Sequence, residues 1–296
     1  MSNRRDFIRL SSLMAAGAFL PLQFCGKPDK VIGGGNAAEA SLEKFGIQLY
    51  SVRDEMAKDV KETISKLSTY GYHYLEGYDG GKGIFWGMKN TEFKQVVEDN
   101  GLEFVASHAN VFENLEQQAS QASEIGMKYL ICPWVGPQES MEEFKRLADE
   151  FNRVGKVCKE EGVRFAYHNH GYTFEELEGQ MPQDYLLENT DPELVDFEMD
   201  IYWVKTPGKD PKAYFEKYPD RFKLCHIKDR MIDAPADEAN ASTIIGEGSI
   251  DFSSILRVGK DNGLEYFFAE QERYDNSTPM ESAMKNAEYL KNLRLG

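Results

Sequence analysis

The sequence contains little cysteine and no cysteine pair with metal-binding or redox spacing. There are four cysteines in 296 residues, and no two of them are separated by only two residues. This absence excludes a cysteine-based structural zinc site and thioredoxin-like chemistry. Apart from Cys25, an odd number remains, set in apolar sequence, which does not indicate a disulfide framework. Cys132, Cys158 and Cys225 are therefore interpreted as core thiols.

Basic residues are scarce relative to acidic ones. The chain has 34 Lys and Arg against 50 Asp and Glu, which gives a formal charge of −16. Residues 1–30 contain five basic and two acidic side chains, so the rest of the chain carries −19. Most of the energy of non-specific binding to nucleic acids comes from neutralisation of their phosphates by basic side chains. A protein body with this negative charge therefore repels DNA and RNA. The sequence predicts no nucleic-acid partner.

The uncharged run near the N-terminus is too short to span a membrane. Residues 10–24 fall below the roughly twenty that a spanning helix needs and match the length of a signal-peptide apolar region. Arg4 and Arg5 precede this run, a pattern that resembles a twin-arginine leader. We expect residues 1–30 to be a twin-arginine-type signal peptide and the protein to be exported to the periplasm.

A segment without apolar periodicity separates this leader from the rest of the chain. Residues 31–42 include three consecutive glycines and are predicted to be a flexible linker, followed by one domain over residues 43–296. Lipidation of Cys25 stays open, because Leu22 lies three residues before it but the two intervening residues are not small. Membrane contact is expected only through such a lipid.

Eight short β-prone runs alternate with helical patterns in which apolar residues recur every three or four positions. The predicted strands cover residues 45–50, 72–77, 103–108, 129–134, 164–170, 195–203, 222–228 and 266–272. The main predicted helices cover residues 60–70, 91–100, 115–125, 141–161, 182–189, 211–218, 252–262 and 280–293. Eight such repeats predict a single α/β domain, a (β/α)₈ TIM barrel. An open doubly wound sheet is disfavoured, because no G-x-G-x-x-G motif follows the first strand.

Polar side chains stand where the predicted strands end, which is where barrel enzymes place their active sites. The first four strands end near Gln48, Glu76, His108 and Trp134. The last four carry pairs of residues two positions apart, His168/His170, Glu198/Asp200, His226/Lys228 and Glu270/Glu272. Because residues two apart share one face of a strand, each pair points to one side. The pattern predicts polar groups converging on the barrel axis.

Carboxylates and imidazoles that converge in one pocket indicate a divalent cation, because alone they would repel or stay unsatisfied. A mixed Asp, Glu and His set suits one Mn²⁺, Co²⁺, Zn²⁺ or Mg²⁺ ion. Trp134 and Trp203 either stack on a sugar face or plug the barrel mouth, and the sequence does not separate these roles. Residues 246–248, Gly-Glu-Gly, are interpreted as a glycine loop rather than an anion cradle.

The ordered series of motifs resembles the sugar phosphate isomerase/epimerase family, the xylose isomerase-like barrels that also include inosose dehydratases and AP endonucleases of the endonuclease IV type. The match rests on residues 46–51, 167–172, 197–203, 226–229, 246–252 and 270–272. The resemblance implies one divalent metal ion held from the fifth to eighth strands, and Asp200, His226 and Glu270 match that pattern. Many relatives have a glutamate on the fifth strand where this chain has His168, our predicted fourth ligand, with Glu176 as the alternative.

We expect a metal-dependent isomerase or epimerase that acts on a sugar or keto-sugar through an enediolate. His170 or Glu272 is the predicted base, and Lys228 assists an oxyanion or pairs with a carboxylate. The predicted substrate-binding residues are Gln48, Glu76, His108, Trp134 and Trp203.

Two alternatives stay open. A metal-dependent lyase or dehydratase acting on 3-keto-glycosides or inososes uses the same enolate to expel a group from the next carbon. A non-catalytic exported sugar-binding protein would not need His226 and Glu270 as ligands. In each case the expected partner is a small carbohydrate, and a homo-oligomer is compatible with the sequence.

Overall fold

The structure, a computed structural model, describes residues 40–235 and 237–296. Eight parallel strands form a closed barrel in which each strand pairs with the next along the chain and the last pairs with the first. The strands are β1 (Gly46–Gln48), β2 (Tyr74–Tyr78), β3 (Glu103–His108), β4 (Tyr129–Cys132), β5 (Arg164–His168), β6 (Val195–Asp200), β7 (Phe222–Ile227) and β8 (Tyr266–Ala269). The predicted (β/α)₈ barrel is confirmed.

Helices follow the strands in chain order. Within the described residues they are α1 (Arg53–Lys58), α2 (Val60–Tyr70), α3 (Asn90–Asp99), α4 (Leu115–Glu124), α5 (Met141–Glu161), α6 (Pro182–Asn189), α7 (Ile201–Lys205), α8 (Pro211–Lys217), α9 (Phe252–Asp261) and α10 (Pro279–Asn292). Short 3₁₀ helices occupy Leu49–Val52 and Gly171–Phe174.

Helix α5 illustrates how the helices pack against the barrel. Its buried side chains recur at three- and four-residue spacing, which produces one apolar face. The ring of Phe151 on this face lies 5.4 Å from that of Phe165 and 4.9 Å from that of Tyr167, both on β5. The helix ends at Gly162, whose φ of 89° is the left-handed conformation that glycine adopts without strain.

Apolar side chains fill the barrel interior. Val105, Ile131, Leu224 and Phe268 form a buried cluster with Tyr129 and two alanines, all from the strands. A TIM barrel packed in this way is a solid core rather than a pore. The polar groups of the candidate site lie beyond this apolar layer, at the carboxyl ends of the strands.

Six of the eight predicted strands run further than the observed ones. The prediction of a strand over residues 195–203 is wrong beyond Asp200, where α7 begins. The Asp200 side chain accepts a hydrogen bond from the Trp203 N–H at 3.0 Å and caps this helix. Capping therefore overrides the β-prone Ile-Tyr-Trp sequence that follows.

The predicted leader lies outside the described residues, as does most of the predicted linker. Its last part, Ala40–Ser41, forms a short strand paired antiparallel with Arg294–Leu295. No helix within residues 40–235 and 237–296 is long and apolar enough to cross a membrane. The three cysteines in this part of the chain are free and buried, which confirms their interpretation as core thiols. Cys25 lies outside it.

One carboxylate organises the loop that contains the Gly-Glu-Gly motif. Asp229, which follows β7, accepts hydrogen bonds from the backbone N–H groups of Gly246 and Gly248 at 2.8 and 3.0 Å. It also accepts from Arg230 at 2.8 Å and Ile250 at 3.2 Å. A Cβ at Gly248 would collide with the Asp229 carboxylate. Asp229 thus fills the place that an external anion would take, consistent with a structural glycine loop.

We predict that Asp229→Ala lowers the free energy of unfolding by about 3 kcal/mol, because four backbone donors lose their acceptor. Asp229→Asn, which keeps one carbonyl oxygen, should lose about half of that. The measurement is urea denaturation followed by circular dichroism. Equal stability of Asp229→Ala and the wild type would show that the loop does not depend on this carboxylate.

Candidate metal-dependent active site

A cavity of about 1060 Å³ opens at the carboxyl ends of the barrel strands. His108, His168 and Glu270, from the ends of β3, β5 and β8, form its polar floor. Aromatic side chains from the loops beyond the strands line its wall. The volume is slightly above the roughly 300–1,000 Å³ that is typical of pockets for drug-sized ligands.

His226, at the end of β7, is the centre of a buried polar cluster. Its Nε2 atom lies 2.6 Å from Glu76 Oε2 and 3.4 Å from Glu198 Oε2. Its Nδ1 atom lies 3.2 Å from His168 Nε2 and 3.3 Å from Glu270 Oε2. Five strands therefore contribute to one cluster, which confirms that the polar strand ends converge.

Hydrogen bonds to its backbone and to one of its carboxylate oxygens fix the position of Asp200 in the cluster. Asn169 makes two hydrogen bonds of 3.2 Å to the backbone N–H and carbonyl of Asp200. Oδ1 of Asp200 caps α7, and Oδ2 lies 3.5 Å from His168 Nε2 and 3.7 Å from His226 Nδ1. This division leaves Oδ2 directed at the imidazoles.

Negative charge is concentrated under the cavity. Four carboxylates, Glu76, Glu198, Asp200 and Glu270, are at most 5% exposed. Burial and the neighbouring Glu76 carboxylate raise the pKa of Glu198 well above its ordinary value. Burial alone would raise the pKa of Glu270, but the charges of Lys228 and His226 hold it well below its ordinary value. The cluster holds more negative charge than its own cations compensate.

Lys228 is the one lysine in this cluster and is only 1% exposed. Its Nζ atom lies 3.2 Å from Glu270 Oε2 and 2.6 Å from Glu272 Oε1. Burial would lower the pKa of Lys228, but Glu270 and Glu272 outweigh this and raise it, so that the side chain is charged. Of the two predicted roles of Lys228, the geometry matches pairing with carboxylates.

The donor set fits a divalent cation. Single ligand atoms of two sets of residues lie within 4.8 Å of one another: Asp200, His226 and Glu270 in one, and His108, His168, Glu198 and His226 in the other. Within the described residues, Asp200 Oδ2, Glu76 Oε1, Glu198 Oε1 and His168 Nδ1 are buried without a hydrogen-bond partner. Unpartnered buried carboxylate oxygens such as these are what a cation would satisfy.

The structure brings most of the predicted site residues together. The four predicted metal ligands, His168, Asp200, His226 and Glu270, lie in the cluster. The predicted catalytic residues His170 and Glu272 line the cavity, and Lys228 lies beside Glu272. The alternative ligand Glu176 is exposed and is not part of either set of ligand atoms.

The predicted substrate-binding residues separate into two groups. His108, Trp134 and Trp203 line the cavity. Gln48 is fully buried; its amide donates to the Gly77 carbonyl at 3.2 Å and accepts from the Tyr50 N–H at 3.0 Å. Glu76 is also fully buried and bonds to His226. Both residues thus bond to other groups of the protein below the cavity surface. Their role in substrate binding stays a prediction.

Two members of the cluster were not among the predicted site residues. Glu198 contacts both His108 and His226, at 2.9 and 3.4 Å. Its position two residues before Asp200 was the signal for it, because both then face the barrel interior. Asn169 lies between two motif histidines, but its bonds to the neighbouring strand have no signature in the sequence.

Comparison with known proteins places the chain in a family. The family profile described as xylose isomerase-like TIM barrel matches residues 64–293. An inosose dehydratase of Clostridium tetani is 31% identical over 163 residues, which cover 50% of this chain and 54% of that protein. The chain thus spans about half the length of the curated relatives it matches.

Solved structures give the same result. A sugar phosphate isomerase/epimerase from Parabacteroides distasonis is 31% identical with a TM-score of 0.74, covering 83% of this chain and 96% of that one. The IolI protein, crystallised with a zinc atom, has a TM-score of 0.69 at 14% identity, covering 84% and 97%, and shares the fold alone. The chain belongs to the xylose isomerase-like TIM barrel family.

Proposed function

We propose that the protein is a metal-dependent lyase that removes a proton beside the carbonyl of a keto-sugar or inosose and expels the substituent on the next carbon. The observation that carries the proposal is the buried Asp200, His226 and Glu270 set beneath a cavity of about 1060 Å³. The similarity to inosose dehydratases supports elimination as the outcome.

Asp200, His226 and Glu270 would hold the cation, with His168 as the fourth ligand. When bound, a divalent cation polarises a carbonyl oxygen and lowers the pKa of the adjacent C–H. The chain's own residues then position the substrate and move protons. Asn169 fixes Asp200 through its backbone, so that the carboxylate is oriented before a ligand arrives.

Glu272 is the proposed base. Its side chain is 27% exposed, lines the cavity, and is held by Lys228 at 2.6 Å, so that one carboxylate oxygen is fixed beside the polar floor. His170, two residues beyond the end of β5, also lines the cavity and is the proposed group that hands a proton to the departing oxygen. Elimination needs both transfers, because the carbon loses a proton and the leaving group gains one.

An isomerase or epimerase is the second candidate. The Parabacteroides distasonis relative named as a sugar phosphate isomerase/epimerase supports it, since that similarity extends over most of both chains. Both reactions begin with loss of the same proton and differ in where the enolate electrons go next. Return of the proton to carbon gives isomerisation or epimerisation, whereas loss of the neighbouring substituent gives the lyase.

Export to the periplasm is part of the proposal, supported by Arg4 and Arg5 before the apolar run. We predict that replacing both arginines by lysine retains the chain in the cytoplasm, while Lys27→Arg has no effect. Fractionation of cells and immunoblotting measure this. Unchanged export of the double variant would contradict a twin-arginine leader, and a membrane-bound fraction that is lost in Cys25→Ala would support lipidation.

We predict that the purified chain binds one divalent ion and that His226→Ala lowers its metal affinity by about 100-fold or more, because both candidate ligand sets contain His226. His73→Ala is the matched control, since His73 precedes β2 at the opposite end of the barrel. Elemental analysis and titration with Mn²⁺, Co²⁺ and Zn²⁺ give the affinities. Full metal content in His226→Ala would refute the site.

We predict that the metal-loaded chain eliminates the substituent from a keto-sugar or inosose, and that Glu272→Gln lowers kcat by about 10²-fold with unchanged metal content. Mass spectrometry and proton NMR in D₂O follow the reaction. Uptake of deuterium with every substituent retained would favour the isomerase or epimerase. Metal binding without exchange or elimination, over a panel of keto-sugars, would favour a sugar-binding protein.

A further inference from the structure

Exposed aromatic side chains are concentrated at the mouth of the cavity. Five large apolar side chains of the described residues are exposed, and three of them, Tyr50 (38%), Phe112 (44%) and Trp134 (53%), line this cavity. They follow β1, β3 and β4, so that they occupy one side of the barrel mouth. We call these three residues the aromatic rim. Exposed apolar surface that is gathered in one place is typical of a binding site.

Neighbouring side chains hold two of the rim residues in place. The Tyr50 ring packs edge-on against Tyr78 at 5.1 Å, and the Arg53 guanidinium lies 4.5 Å from its centre. The Trp134 ring makes edge-on contacts with His170 at 4.6 Å and Tyr172 at 4.9 Å. A rim fixed in this way loses little conformational entropy when a ligand packs on it.

Two polar side chains beside the rim each have one oxygen bound by their own loop. Asn110 Oδ1 accepts the Phe112 N–H at 3.2 Å. Asp79 Oδ1 accepts the N–H groups of Gly81 and Gly83 at 2.8 and 3.1 Å. What distinguishes this side of the cavity is the exposed ring surface of the aromatic rim. Exposed rings suit stacking with a planar aromatic group.

The rim is continuous with the polar floor. His170 touches Trp134 at 4.6 Å and His168 at 4.8 Å, so that one imidazole separates the rim from the predicted metal ligands. The volume of about 1060 Å³ suits a ligand of drug size rather than a single sugar ring. A ligand that fills it extends from the floor to the rim.

We infer that the aromatic rim is a subsite for a planar aromatic group that is joined by a glycosidic bond to the sugar on the polar floor. The inference rests on the proposed function for the chemistry on the floor. It goes beyond that function because it states what the rest of the substrate is. The preferred substrates are then oxidised aryl glycosides, in which the aromatic group is the part that leaves.

The elimination implied for such a substrate is balanced. For a 3-keto-glucoside, the proton on C2 is removed, the C1–C2 double bond forms, and the glycosidic C1–O bond breaks. The electron pair of that bond leaves with the oxygen, which takes up a proton, so that the aromatic group departs as a phenol. No oxidant or reductant is consumed, because the substrate already carries the carbonyl group.

The first test is equilibrium binding to the metal-loaded full chain, measured by calorimetry. The probes are p-nitrophenyl and methyl β-D-glucopyranoside, which share the sugar and differ in the second group. We expect the p-nitrophenyl glucoside to bind about tenfold more tightly, and Phe112→Ala and Tyr50→Ala each to weaken it about five- to tenfold. Both variants should change the affinity for the methyl glucoside by less than about twofold. Met284→Ala, exposed but outside the cavity, is the control.

Equal affinity of the wild type for the two glucosides, or equal losses for both probes in the rim variants, would overturn the subsite. Tighter binding of cellobiose than of the p-nitrophenyl glucoside would overturn the assignment to an aromatic group. Turnover is assayed separately, as release of p-nitrophenol from the 3-keto derivative. Preference for the aryl probe without turnover would leave the subsite in place and refute the lyase. Turnover without tighter binding of the aryl probe would support the lyase and overturn the subsite.

Discussion

Four carboxylates buried around one imidazole are the constraint on which the site depends. Glu76, Glu198 and Glu270 contact His226 from three sides, and of these three carboxylates Glu270 is paired with Lys228. Charges removed from water in this way are costly unless they are paired. A fold that keeps the cluster must offset this cost, and it does so in part through the charge of Lys228 and the raised pKa values of Glu198 and His226. A bound cation would offset it further.

Polar residues at the strand ends differ in whether their side chains contribute to the architecture or to the site. Asp200 caps α7 with one oxygen and directs the other at His168 and His226. Gln48, the last residue of β1, and Asp229, which follows β7, instead hydrogen-bond to backbone groups. A polar residue at a strand end is thus not by itself a site residue. What distinguishes Asp200 is an oxygen left without a backbone partner.

Much of the barrel was predictable because its signals are local. The eight β-prone runs and the helical segments between them depend only on nearby sequence. The period-two pairs predicted the convergence of Asp200, His226 and Glu270, since strand geometry fixes which way each residue points. The strand ends were less predictable, because a cap such as Asp200 competes with the β propensity of the next residues.

The contacts between loops were not predictable, and they determine which side chains meet at the mouth of the cavity. Nothing in the local sequence of Phe112 indicates that it lies on the same rim as Tyr50 and Trp134, because three separate loops must be placed first. The floor, by contrast, is built on strands, which hold their side chains more rigidly than loops do. In the proposed reaction, proton removal beside a carbonyl requires the floor and Glu272 next to it. The choice of substrate, and with it the choice between elimination and isomerisation, would then depend on what the loops hold against that floor.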